Sequence, residues 1–271
     1  MKGFRIYLPF ALNEIKTQMS YKGAFYLYLF ISTFSSFIAY FLWSAIYGSS
    51  GGAVLGGLTR DEMTVYIFMV YVTSSMVAIS TSEWVSEDVV KGTVAMQLIK
   101  PIDYRLSLIS RAVGQMIYRF LLPAVFIWVG LELYQHFVLG LSFTPIANIG
   151  LYLVSCLLSF LIFVLFDFCV GMIAFFTSYI FGLILVKEAL LSFLTGQLIP
   201  LSFFPEAVQR IFEYLPFSSM IYAPVMIYLG KYQGSELLWV LVRQGAWVLI
   251  LYGLGTLIWN RVTKRLVVLG G

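Results

Sequence analysis

Long apolar runs alternate with short polar breaks along this chain. The runs over 24–47, 63–82, 112–134, 147–175, 180–198 and 238–259 are each long enough to cross a bilayer as a helix, which takes roughly 20 residues. They predict an all-α polytopic membrane protein with six transmembrane helices, built as one transmembrane domain over 1–271. The third run tolerates Arg119 only if its start lies near the interface. The stretch 147–198 lacks a charged turn, and a break near Asp167 or one near Thr177–Tyr179 would divide it. The second is preferred, because Thr177 and Ser178 are the more polar pair and the first would bury Lys187 in an overlong span.

Three segments depart from the apolar runs. Over 1–22, Leu8, Leu12, Ile15 and Met19 recur at helical spacing between Asn13, Glu14, Lys16 and Gln18. That pattern predicts an amphipathic helix lying in the membrane interface, with Pro9 in its first turn; a short solvated tail is the alternative. Residues 83–111, EWVSEDVVKGTVAMQLIKPIDYRLSLISR, form a charged island between the second and third spans. In it Glu87 and Asp88 stand where a helix start would favour negative charge. Gly92 and Thr93 interrupt, Val94, Met96, Leu98 and Ile99 supply an apolar face, and Lys100–Pro101 ends it. Such a helix suits docking into a groove on a soluble partner or resting on the lipid surface. Residues 196–237 combine Gly196, Pro200, Pro205, Pro216 and Pro224 with apolar side chains, too broken to span and too apolar to float in water. PEAVQRIFEYLP reads as one short amphipathic helix there.

Composition agrees with a lipid environment: 61% of the 271 residues are hydrophobic and only 11% are charged. No length remains for a soluble catalytic domain. Charge sets the orientation. Lys2, Arg5, Lys16, Lys22, Lys91, Lys100, Arg105, Arg111, Arg119, Arg261, Lys264 and Arg265, twelve of seventeen basic residues, fall on one side. By the excess of Lys and Arg in cytoplasmic loops, both termini and the 83–111 loop are cytoplasmic. The long polar region before the first span predicts retention of the N-terminus rather than signal cleavage. The net charge of +4 follows this topology and is no nucleic-acid signal. Cys156 and Cys169 would sit some 20 Å apart (roughly) on one helix, so they read as packing residues. Residues 48–58 are a Gly-rich turn, and no phosphate-binding loop pattern occurs anywhere. His136 is the lone histidine, beside Glu132, and no metal cluster is predicted.

The string EDVVKGTVAMQLIKPI, Glu87 to Ile102, resembles the coupling-helix segment of ABC transporter permeases of the ABC-2 exporter class. There a glutamate, Gly-Thr, an apolar run and a proline recur between the second and third spans. GQLIPLSFFP with the later LPF, Gly196 to Phe217, resembles that family's outer re-entrant hairpin, and the N-terminal amphipathic segment resembles its interfacial elbow. The pattern is similar to small bacterial permeases described as daunorubicin-resistance-like. The resemblance implies a bacterial plasma-membrane subunit that pairs with a second permease, identical or related. It implies two separate ATP-binding subunits that carry the ATP and Mg, so this chain is no enzyme and holds no cofactor. Their contact on this chain would be Glu87, Asp88, Gly92, Thr93, Val94, Met96, Leu98, Ile99, Lys100 and Pro101. Importer permeases carry a loop starting Glu-Ala-Ala; Glu-Asp-Val-Val-Lys-Gly here favours export, of an amphipathic drug, lipid or peptide.

Asp167, Lys187 and Glu188 fall inside predicted spans, where ionisable side chains are costly. With the turn near 178, Asp167 and Lys187 reach similar depth and would form an ion pair, while Glu188 points about 100° away. The pair would lock two spans together or contact substrate or a coupling ion. An ion-coupled carrier or channel built on these three residues is the alternative function. A membrane enzyme lacks a nucleophile-and-base constellation.

Overall fold

A computed structural model describes residues 4–51, 54–177 and 180–269 of the chain. Lys2, Gly52 and the Ser178–Tyr179 part of the expected turn lie outside them. The described residues form twelve α-helices and no strand. They are α1 (Phe4–Ser20), α2 (Lys22–Ser49), α3 (Arg60–Val77), α4 (Thr81–Val90), α5 (Thr93–Ile99), α6 (Tyr104–Arg119), α7 (Val125–Phe137), α8 (Ile146–Gly171), α9 (Phe181–Leu194), α10 (Glu206–Tyr214), α11 (Tyr222–Tyr228) and α12 (Gly234–Leu269). Several are collinear. Five rods are long and apolar enough to cross a membrane: Tyr26–Ser49, Arg60–Val90, Tyr104–Phe137, Ile146–Phe175 and Gly234–Lys264. The chain is therefore a multi-pass membrane protein.

The second rod is the hub. Most of its α3 side chains are buried, among them Met63, Tyr66, Met69, Val72 and Met76. The first rod, α2, is the opposite: Phe30, Phe34, Phe41 and Leu42 all face outward. In lipid such a surface needs no protein cover. The third rod carries a π turn at Phe120–Ala124, where Pro123 lacks the N–H that an α-turn would use.

The fifth expected span, 180–198, ends early. α9 has 14 residues, about 21 Å of helix, and stops before Gly196. Gly196 adopts φ +80°, a conformation glycine takes without penalty, and its carbonyl accepts a hydrogen bond from the Tyr66 hydroxyl at 2.6 Å. The chain then turns into 3₁₀ turns and the short helices α10 and α11 rather than continuing. The break in 147–198 falls after Gly171 and Phe175, not at Asp167, which lies inside α8. α1 packs along α6. Ser110 donates to the Tyr7 carbonyl at 2.6 Å, and a Cβ on Gly114 would overlap the Ala11 backbone. Pro9 lies inside α1 rather than in its first turn.

Candidate functional site

Two polar clusters bracket α4. The first is the expected docking segment. Helix extends further into it than the charged island suggests, leaving only 91–92 and 100–103 non-helical. Glu87 and Asp88 are not at a helix start, as the charge pattern implied, but in the last turn of α4; the first-turn acid is Glu83. The start at Ser80–Thr81 falls within an uninterrupted run and carries no sequence mark. Glu87 pairs with Lys91 one turn on, both exposed, a contact worth little. Asp88 does more. It accepts from the Thr93 hydroxyl at 2.6 Å and the Tyr104 hydroxyl at 2.7 Å. One carboxylate thus ties the end of α4 to the starts of α5 and α6. Gly92 makes the corner at φ +70°, where a side chain would be strained.

α5 ends at Ile99 as expected, with Lys100 extended ahead of Pro101. Its face differs from the expectation. Met96 is 63% and Ile99 84% exposed, Leu98 is exposed too, but Val94 is buried at 2%. At 100° per residue Val94 and Met96 point apart, so Val94 holds the helix down while Met96, Leu98 and Ile99 face out.

The segment is braced from three sides. Arg111 bonds Glu14 of α1 at 2.7 Å and lies 4.0 Å from the centre of the Trp84 ring. Tyr104 stacks on Trp259 of α12 at 5.1 Å. Asp103 caps α6, accepting from the Arg105 and Leu106 N–H groups. Burial would raise its pKa, but the Arg105 guanidinium and those two N–H groups outweigh burial and hold it below the ordinary carboxylate range.

The second cluster sits where the second rod breaks, at residues 78–80. Asp167 is fully buried and pairs with buried Lys187, bringing together the two residues expected to meet. Both also serve the break. Asp167 accepts from the Ser82 N–H at 2.6 Å and the Thr81 hydroxyl at 3.4 Å, and Lys187 donates to the Ser82 hydroxyl at 3.1 Å. A carboxylate at a helix N-terminus is favoured there. At the other lip Arg119 donates to the Ala78 carbonyl at 3.0 Å and lies 5.3 Å from the Tyr28 ring centre. Arg119 lies about 22 Å along the third rod, held by that carbonyl. Neither Ser82 nor Arg119 was foreseen as part of this cluster; a lone arginine in an apolar run was the available signal. Glu188 is exposed, as its 100° offset implies, and with Lys187, Ser80, Ser192, Thr195 and Gln197 it lines a cavity of about 300 Å³.

The 196–237 segment packs at the opposite end from α5. Pro200 and Pro216 precede 3₁₀ turns and Pro205 precedes α10, none of whose residues is buried. Lys231 pairs with Glu62 at 2.7 Å, and Phe203 meets the Trp43 ring at 4.9 Å. Gln244 of α12, fully buried beside Arg243 in the chain, is a further residue that pattern reading missed. It accepts from Ser155 at 2.9 Å and donates to the Ser219 carbonyl at 2.9 Å, joining α12, α8 and this segment. Cys156 and Cys169 are both free and share α8.

Residues 33–270 match the family described as ABC-2 family transporter protein. A search of curated proteins gives no match. The family match spans most of the chain, and the protein belongs to this family of membrane components of ABC transporters.

Proposed function

From that membership, we propose that this chain is the permease subunit of an ATP-driven exporter in a bacterial plasma membrane. It works as a dimer with an identical or related permease, and two separate ATP-binding subunits hold ATP and Mg and do the hydrolysis. The observation that carries this reading is α5: a short helix clamped by Asp88, with Met96, Leu98 and Ile99 facing out at one end of the bundle. Exposed apolar side chains flanked by Lys91 and Lys100 fit a groove on a soluble partner. Arg5, Lys16, Lys91, Lys100, Arg105, Arg111, Arg261 and Lys264 cluster toward that end, which supports its being cytoplasmic, with both termini.

On this reading the chain is a single transmembrane domain with six crossings, the fifth made by α9 together with the segment after Gly196. That segment is the outer re-entrant hairpin. α1 is the interfacial elbow: Leu8, Leu12 and Met19 point away from the protein while Ala11 and Glu14 are buried against it, so its apolar face is left for lipid. The substrate is an amphipathic molecule moved out of the cytoplasm, and the cavity beside Lys187 and Glu188 is where a push on α4 would be felt.

An ion-coupled carrier is the second reading, favoured by the same cavity. It has less room, because the polar atoms of Asp167 and Lys187 are already engaged by each other and by Thr81 and Ser82.

The test is mild-detergent purification of the tagged chain from its native membrane, with mass spectrometry of its companions. An ATP-binding subunit should copurify and be lost in the Met96→Asp, Ile99→Asp variant. A chain recovered without any nucleotide-binding partner would overturn the ABC assignment in favour of the carrier.

A further inference from the structure

Between Glu236 and Arg261, Arg243 is the only charged residue of α12. It lies nine residues past Gly234, about 13 Å into the helix, and one turn inward of the exposed Trp239. An ionisable side chain inside a span is costly and marks a functional position by default. No described residue compensates this one. The Arg243 Nε is shut off from solvent and has no hydrogen-bond partner. Every ion pair among the described residues uses another cation. α12 packs on the bundle through Val240, Gln244 and Leu251. At 100° per residue Arg243 stands to one side of these and in line with Glu236, Trp239 and Ile250, all three exposed. Arg243 itself is half-buried, on the flank where the packed face gives way to lipid. Long helical side chains lean toward the N-terminus of their helix, which for α12 is the nearer membrane face.

We propose that Arg243, Trp239 and Glu236 form a headgroup site for one zwitterionic phospholipid, in the leaflet on the Gly234 side. A phosphate supplies the acceptor oxygens that the protein does not, and the planar guanidinium fork suits it. Glu236 stands on the same stripe, two turns or about 10 Å outward. Among the described residues it has no ion-pair partner. The two charges therefore come in the order of the headgroup, the cation inward for the phosphate and the anion outward for the ammonium. Trp239, exposed between them, offers a ring face to the ammonium. A headgroup without an ammonium leaves the Glu236 charge unanswered, so phosphatidylethanolamine is favoured over phosphatidylglycerol. The site is independent of ATP coupling and stands whether or not α5 docks a partner.

The test uses the full-length protein, delipidated in mild detergent and titrated with phosphatidylethanolamine, phosphatidylglycerol or diacylglycerol. Bound lipid is counted by native mass spectrometry and the thermal transition is read in parallel. Phosphatidylethanolamine should be retained and should raise the transition, while diacylglycerol, which lacks the headgroup, should not. Arg243→Met should lower retained phosphatidylethanolamine by about tenfold, the equivalent of one charge-assisted hydrogen bond. It removes an unsatisfied group, so without lipid the variant should melt no lower than the native chain. Glu236→Gln should keep phosphatidylethanolamine bound but abolish its preference over phosphatidylglycerol. Equal stabilisation of the native chain and Arg243→Met by phosphatidylethanolamine, or of the native chain by diacylglycerol, would overturn the site. A phosphatidylethanolamine preference that is absent from the native chain or persists in Glu236→Gln would overturn the headgroup assignment. Arg243→Met that melts lower without lipid, or loses a dimer mass, would overturn the proposal by assigning the guanidinium to a protein partner.

Discussion

Asp88 and Asp167 act at the two ends of one ten-residue helix, α4, and their surroundings differ. Asp167 meets the first turn in a dry interior, neutralised by Lys187 and bonded to Thr81 and Ser82. Asp88 meets the last turn half in solvent, with two hydroxyls and, among the described residues, no ion-pair partner. The first pins α4 to α8 and α9 inside the bundle. The second pins α5 and α6 to α4 at the surface. In the ATP-coupled reading α4 is then a strut fixed at both ends, and a push on α5 is delivered to the Asp167–Lys187 pair and the cavity beside it. The lesson is energetic. The same side chain makes a structural anchor where water is absent and an adjustable joint where water is present.

The comparison can be broken most strongly at the dry end. Asp167→Ala leaves Lys187 buried without a counter-charge and should destabilise the protein by about 3–5 kcal/mol, read as a lowered thermal transition in detergent. Adding Lys187→Met should restore most of that loss, since removing both charges leaves nothing unpaired. An unshifted transition in the single variant would mean that the pair does not anchor α4.

At the wet end Asp88→Ala should cost less, about 1–3 kcal/mol, and locally. Amide exchange should quicken in α5 while α8 keeps its protection. Gly92→Ala forces a side chain into φ +70° and should cost about 1 kcal/mol, seen in the same exchange experiment as a smaller change confined to residues near the corner. The smallest effect belongs to Glu87→Gln. Its exposed pair with Lys91 should contribute no more than about 0.5 kcal/mol, and a larger thermal shift would show that Glu87 does more than face water.

Much of this arrangement was legible in the chain. Hydropathy located the five long rods, because burial in lipid demands continuous apolar runs. Helical rise brought Asp167 and Lys187 to one depth, and the structure joins them. The losses have identifiable causes. The early stop of α9 depends on the Gly196 backbone and a hydroxyl from Tyr66, 130 residues away, which a hydropathy window does not register. The start of α4 is set by Asp167 and Lys187 from other helices rather than by a local cap; Ser80 makes no side-chain cap bond. Val94 was a different kind of loss. Its turn away from Met96 follows from the 100° step, and reading 94–99 as one apolar run concealed it. Arg119 was visible as a costly charge, but its partner, a main-chain carbonyl at a helix break, has no sequence signature.

The most direct measurement of the central claim places a photo-reactive amino acid at position 99, and separately at position 94, in cells that express the native complex. Crosslinking from position 99 to an ATP-binding subunit, with none from position 94, is the predicted result, since Ile99 faces out and Val94 is buried. Crosslinks from position 99 to lipid alone would contradict it and leave α5 a helix resting on the membrane surface.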